Sequence, residues 1–184
     1  MADFPDIFAR PQRIILTTTG WSQPVGNAAL ATRTNSPGSG AWPAAKRAIF
    51  VPVIVEVQMT INQLAVLNGA TISGNVDLGI YSYPGSGTAA SRLVSIGATA
   101  QAGESKPQVF NIADTALKPG LYYFAMVATS ATAAIIRSTA EAKLLQVCGV
   151  QQQAGLESLP ETATFSNPGS SYAPMIAGIG APTF

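Results

Sequence analysis

The stretch GNVDLGIYSYPGSG, residues 74 to 87, decides the fold class. Two sets of side chains alternate along its first half: Val76, Leu78 and Ile80 on one face, and Asp77, Gly79 and Tyr81 on the other. A period of two is that of a β-strand, and the run PGSGT that follows consists of turn formers. The stretch therefore predicts one strand of a β-sandwich. Its half-polar face suits either solvent or the surface of a partner.

Similar signals recur along the chain. Runs rich in β-branched and aromatic residues, separated by turn formers, occupy residues 13–18, 48–67, 92–96, 108–112 and 121–129. Within 48–67, alternate apolar positions from Val53 to Ile61 predict a strand with one buried side, and Pro52 predicts an edge position or a bulge. Residues 138–147 fit either a helix or a turn followed by a strand. The pattern predicts an all-β protein, with a jelly-roll-like or Greek-key β-sandwich at residues 48–150.

The two flanks differ in composition from this central part. Glycine, proline, serine, asparagine and alanine dominate residues 1–12, 20–43 and 159–184, yet large apolar residues are scattered among them. A solvated linker has no reason to carry such residues, whereas an arm that docks on a neighbouring subunit does. We therefore predict an N-terminal arm with a short strand and a long loop at 1–47, and an extended C-terminal arm at 151–184. The expected interface anchors are six aromatic residues: Phe4, Phe8, Trp21, Trp42, Tyr172 and Phe184.

Charge is scarce throughout the chain. Charged residues make up 10% of it and the net charge is +1, against about 25% charged residues in typical soluble proteins. Low charge protects a free monomer poorly against self-association, so much of the surface is expected to be covered by neighbours. The ten basic residues form no stripe, which argues against nucleic-acid binding. No apolar run is long enough to span a bilayer, and the lone Cys148 has no partner for a disulfide within the chain.

Candidate catalytic and metal-binding residues are few. The chain contains no histidine, which excludes the Ser-His-Asp and Cys-His templates. Four acids lie in or beside the predicted sandwich, without a spacing that pairs any two of them: Glu56, Asp77, Glu104 and Asp114. The glycine-rich stretches lack the lysine and the following helix of a phosphate-binding loop. We predict a non-enzymatic protein without a metal or another cofactor.

Three segments carry a resemblance to a known group of proteins. The succession GNVDLGIY, SRLVSIGATAQ and VFNIADTALKPGLYYFAM resembles a β-sandwich segment in structural proteins of tailed-bacteriophage virions, of the kind that decorate heads or build tail appendages. The likeness covers roughly residues 50–130. It implies a structural protein that is made in the bacterial cytoplasm and built into the virion, with copies of itself and other virion proteins as partners.

Two other functions fit an all-β chain of this composition. A host-surface adhesin or carbohydrate-binding module would stack sugars on exposed rings, for which the candidates are Trp21, Trp42, Tyr81, Tyr83, Tyr122, Tyr123 and Tyr172. A surface glycan would then be the partner. A glycoside hydrolase would need two of the four carboxylates to meet in one cleft.

Overall fold

A computed structural model describes residues 14–17, 38–85, 88–139, 142–169 and 171–182. In these ranges the chain is all-β, with one short helix, α1, at Ala142–Val147. The strands are β1 (Ile14–Thr17), β2 (Gly38–Ala41), β3 (Arg47–Val55), β4 (Met59–Leu67), β5 (Asn75–Ser82), β6 (Ala89–Ser95), β7 (Thr99–Ala100), β8 (Pro107–Leu117), β9 (Gly120–Ala128), β10 (Ala134–Thr139), β11 (Gln151–Gln153), β12 (Thr162–Thr164), β13 (Tyr172–Pro174) and β14 (Ile176–Pro182).

These strands form three antiparallel sheets. A four-stranded sheet has the order β1-β14-β4-β8, and a three-stranded sheet has the order β13-β10-β2. A seven-stranded sheet has the order β11-β3-β9-β5-β6-β12, with β7 beside β5. The predicted fold class, an all-β sandwich, is confirmed.

The main core lies between the four-stranded and the seven-stranded sheets. Met59 and Leu64 of β4 pack there with Leu78 of β5 and Phe124 of β9, all fully buried. The opposite face of the seven-stranded sheet is buried as well, since Phe50, Tyr81 and Tyr123 form a second cluster with Leu159 and Ala163 from the C-terminal part of the chain. The central strands are therefore buried on both faces, which explains the long apolar run AIFVPVIV in β3.

Residues 48–67 form two strands, where the sequence predicted one. The chain leaves the seven-stranded sheet at Val55 and enters the four-stranded sheet at Met59, and the side chain of Val57 between them is 44% exposed. Alternation of apolar residues continues through the turn, so periodicity did not reveal it. The pairing of β3 with β11 ends at Phe50, which makes β3 an edge strand on that side at Pro52, where a proline is tolerated.

Residues 151–182 belong to the sandwich and are not an extended arm. Strand β14 lies between β1 and β4, paired with β4 from Ile176 opposite Val66 to Pro182 opposite Met59. Two glycines of β14 are required by close packing. A Cβ on Gly178 would come within 2.9 Å of the Phe124 ring, and a Cβ on Gly180 would overlap the Thr60 carbonyl oxygen. A composition typical of linkers therefore reflects close backbone approach here.

The predicted N-terminal arm is described at two places. β1 pairs with β14, and β2 pairs with β10. Residues 1–13 and 18–37 lie outside the described residues. The segment 138–147, left open between two readings, contains the end of β10 followed by α1.

Candidate functional site

Two of the six expected interface residues, Trp42 and Tyr172, lie in the described part of the chain, in or next to the three-stranded sheet. Trp42 directly follows β2, Tyr172 begins β13, and β10 lies between these two strands. The other four, Phe4, Phe8, Trp21 and Phe184, lie outside the described residues.

Trp42 is a core residue. Its side chain is 2% exposed, and its indole Nε1 donates a hydrogen bond of 2.8 Å to the backbone carbonyl of Arg47. Its backbone N–H donates to the carbonyl of Ala133 at 2.7 Å. Almost none of the ring is left for a neighbouring subunit or a sugar, so neither role expected from the sequence fits this residue.

Tyr172 is half-buried and holds an arginine. The Cζ atom of Arg137, in β10, lies 3.4 Å from the centroid of the Tyr172 ring, in cation–π geometry. On β2, a Cβ at Gly40 would overlap the guanidinium group, so the glycine makes room for it. The charged group is thus fixed between an aromatic ring and a stretch of backbone without a side chain.

Arg137 makes poor use of its hydrogen-bonding capacity. Its Nε and Nη1 atoms are buried, and neither has a hydrogen-bond partner among the described residues. Burial lowers the pKa of Arg137, while Tyr172 opposes that shift, but a guanidinium stays charged at any physiological pH. Among the described side chains around Arg137 there are donors for an oxyanion, and neither a nucleophile nor a general base. Sequence reasoning counted Arg137 only as one of ten scattered cations; its place in the apolar run AAIIRS was the available signal.

A second polar group of residues binds the chain's own C-terminal part. Asp77 is 1% exposed, and its carboxylate accepts hydrogen bonds from the backbone N–H of Leu159 at 2.8 Å and from the Ser95 hydroxyl at 3.0 Å. The guanidinium of Arg92 donates to the Leu159 carbonyl, and the Tyr81 hydroxyl donates to the carbonyl of Pro160 at 2.6 Å. The half-polar face of β5, expected to meet solvent or a partner, is covered by residues of the same chain.

Burial raises the pKa values of two of these side chains, Asp77 and Tyr81. Desolvation raises the pKa of Asp77, and the hydrogen bonds from Leu159 and Ser95 and the charge of Arg92 counteract the rise. Desolvation also raises the pKa of Tyr81. Both side chains hold backbone groups in fixed positions, so we assign them a structural role.

Few of the aromatic candidates for sugar binding are exposed. Tyr81 and Tyr123 are 0% and 3% exposed. Tyr122 is half-buried, with its hydroxyl donating to the carbonyl of Lys118 at 3.0 Å. Tyr83 is 39% exposed and stacks on Tyr123, with ring centroids 5.4 Å apart and an angle of 25° between the planes.

The four acids considered for catalysis lie on different elements of the fold. Asp77 is buried in β5, whereas Asp114 is exposed in β8, Glu56 in the turn after β3 and Glu104 in the loop before β8. Within the described ranges, no group of three or more His, Cys, Asp or Glu residues could hold a metal ion. The same ranges include no helix long and apolar enough to cross a membrane.

Six residues on β14, β4 and β8 form an uncharged patch on one side of the four-stranded sheet. Leu64, Phe110 and Gly178 point into the core, so alternation places their neighbours on the opposite side. On β14, β4 and β8 this outer face includes Gln63, Ala65, Val109, Asn111, Ala177 and Ile179. Gln63 and Asn111 are directly opposite and joined by a hydrogen bond of 2.9 Å. Asp114 is the one charged residue in the sequences of the four strands.

Comparison with known proteins adds no family to this description, because no protein-family model matches the chain and no curated protein matches it significantly.

Proposed function

We propose that this protein is a non-enzymatic structural component of a tailed-phage virion, which decorates or reinforces the particle through contacts between subunits. The proposal combines the resemblance of residues 50–130 to virion β-sandwich proteins with the surface of the four-stranded sheet. Its partners are copies of itself and other proteins of the capsid or tail.

The outer face of the four-stranded sheet is the observation that carries this proposal. A sheet surface that stays in water normally carries charged side chains, which keep proteins apart in solution. None of these six residues is charged, and Val109, on the edge strand β8, is 49% exposed. Such a surface loses little when it is buried and gains from the hydrophobic effect.

A second copy of the chain is the occupant that this face suits best. In a twofold interface the same patch meets itself, so any charge in it would lie near an identical charge. A neutral face avoids this repulsion. The small side chains Ala65 and Ala177 allow close packing of two sheets, and the Gln63 and Asn111 amides offer both donors and acceptors to the partner.

Particle composition tests the virion role. Particles would be purified from cells infected with a phage that encodes this chain, washed at high salt and quantified by mass spectrometry. The proposal predicts a fixed ratio of this chain to the major head or tail protein, unchanged by the wash. A chain that is abundant in the lysate and missing from washed particles would contradict it.

An adhesin or glycan-binding module is the second candidate, supported by the exposed ring of Tyr83. That role predicts saturable binding on a glycan array that is lost in Tyr83→Ala and retained in Tyr83→Phe, which keeps the ring. Tyr122→Ala is the matched control, because the half-buried Tyr122 lies outside the stacked pair. Loss of binding in both alanine variants would point to damage of the fold and count against a Tyr83 site.

A further inference from the structure

Arg137 carries two of the four buried side-chain nitrogen and oxygen atoms of the described chain that lack a hydrogen-bond partner; the other two are Arg47 Nε and Gln152 Oε1. The buried amides of Asn68 and Gln101 are hydrogen-bonded to one another and to backbone carbonyls, and the buried carboxylate of Asp77 has two donors. The Nε and Nη1 atoms of Arg137 are buried without an acceptor. Burial of unpaired charged donors is costly, and such violations are typical of functional sites.

The surroundings hold the guanidinium in one place. Tyr172 lies against it at 3.4 Å, and on the β2 side the missing side chain of Gly40 leaves the space that it occupies. All three residues lie on strands of one sheet, β13, β10 and β2. A fixed donor group loses little conformational entropy when it binds, which is the benefit of preorganisation.

No acid of the described chain neutralises this charge. The described residues contain one ion pair, between Lys46 and Glu157, and the buried Asp77 is engaged by Leu159 and Ser95. Among the described residues the guanidinium therefore has no ion-pair partner, and its Nε and Nη1 donors are unused.

We propose that Arg137 is the centre of a carboxylate-binding site on the three-stranded sheet, with Tyr172 and Gly40 positioning its guanidinium. In a guanidinium, Nη2 forms a planar fork of N–H donors with either Nε or Nη1, and such a fork matches the two oxygens of a carboxylate. One guanidinium balances one negative charge, which favours a carboxylate over a doubly charged phosphate. The carboxylate comes either from an acidic side chain or C-terminus of another polypeptide or from a small carboxylic acid. This site does not depend on the proposed virion role.

Titration of the arginine Nε–H signals with sodium acetate tests the site. Nitrogen-15-labelled protein is titrated at constant ionic strength, with sodium chloride replacing acetate in the control, and the Arg137 signal is identified by its absence from Arg137→Lys. We expect that signal to move saturably with acetate and not with chloride. The Arg92 signal is the internal control, because its guanidinium is already bound to the Leu159 carbonyl.

Thermal unfolding provides a second readout. At a free acetate concentration ten times the Kd, the Tm of the wild type should rise by about 3–6 °C relative to chloride. Arg137→Lys keeps the charge and loses the planar fork, so its Tm should respond equally to the two salts. If that variant does not fold, Arg137→Gln takes its place.

The source of the carboxylate is read from a dilution series without acetate. An Arg137 signal that moves with protein concentration identifies a second copy of the chain as the donor, whereas a response to acetate alone identifies a small carboxylic acid or another polypeptide. An Arg137 signal that responds to neither, or equally to acetate and chloride, would overturn the proposal.

Discussion

The contact between Asp77 and Leu159 allows a sharp test of how the C-terminal part is held. Asp77→Ala removes the acceptor of the Leu159 N–H and of the Ser95 hydroxyl. Leu159 is 1% exposed, so its N–H would remain buried without a partner. The expected loss is about 2 kcal/mol of unfolding free energy, or a Tm about 4–8 °C lower for a chain of this length. Asp77→Asn keeps an acceptor and a similar shape.

The pH dependence separates the charge of Asp77 from its hydrogen bonds. Because burial raises its pKa above 3.8, the folded state binds the proton more tightly than the unfolded state. The contribution of Asp77 to stability therefore falls as the pH rises from its ordinary pKa through the raised value, and is constant above that. Asn has no such titration, so we expect Asp77→Asn to match or exceed the wild type at pH 7 and to lose this advantage in acid.

Chemical denaturation between pH 3 and pH 8, with hydrogen exchange at residues 156–163, measures both effects. Faster exchange of the Leu159 amide is expected in Asp77→Ala and not in Asp77→Asn. Equal destabilisation by the two substitutions would refute the reasoning, because it would show that the charge, rather than the acceptor, stabilises the fold.

Two further substitutions test the packing of the sandwich. Gly180→Ala places a Cβ on the Thr60 carbonyl oxygen, a backbone atom that cannot move aside. The substitution should lower the free energy of unfolding, measured by urea denaturation, by about 3 kcal/mol or more. A loss below about 0.5 kcal/mol would contradict the position of β14. Gln101→Leu removes the side-chain amide that donates hydrogen bonds to Asn68 at 2.9 Å and to the Ala134 carbonyl at 2.8 Å. The free energy of unfolding should fall by about 1–3 kcal/mol in the same assay. An unchanged denaturation midpoint would show that these hydrogen bonds are not needed for stability.

The fold class could be predicted from the sequence because most strands have a local sequence pattern. The alternation in β5 and the Lys118-Pro119-Gly120 turn before β9 depend on neighbouring residues alone. The turn at Val57 could not be predicted from the sequence, because this exposed valine continues the apolar pattern of the two strands that flank it. Whether an apolar strand continues in one sheet or crosses to another depends on contacts that periodicity does not contain.

The C-terminal strands were missed for a related reason. The sequence AGIGAP in β14 has the composition of a linker, and only the positions of Phe124 and Thr60 show why glycine is required at 178 and 180. A truncation lacking residues 160–184 would therefore remove a strand from within the four-stranded sheet and test folding before it tested assembly.

The candidate site was predicted in part. Tyr172 was singled out as an aromatic residue in a linker-like segment, but its partner Arg137 lies 35 positions earlier in the sequence, and no local pattern links them. Trp42 met the same criterion as Tyr172 and is buried. Aromatic type therefore identifies packing residues, while burial and pairing decide which of them remain available to a partner.

The mass of the purified protein in solution, measured by light scattering behind a sizing column over a range of concentrations, tests the central claim most directly. We expect a closed oligomer of the 18.9 kDa chain, with Val109→Lys on the outer face weakening assembly at least tenfold because lysine charges would be buried. Val57→Lys, at a valine of similar exposure in the turn after β3, is the matched control and should assemble as the wild type does. A monomer at every concentration, or equal effects of the two substitutions, would contradict self-assembly through this face.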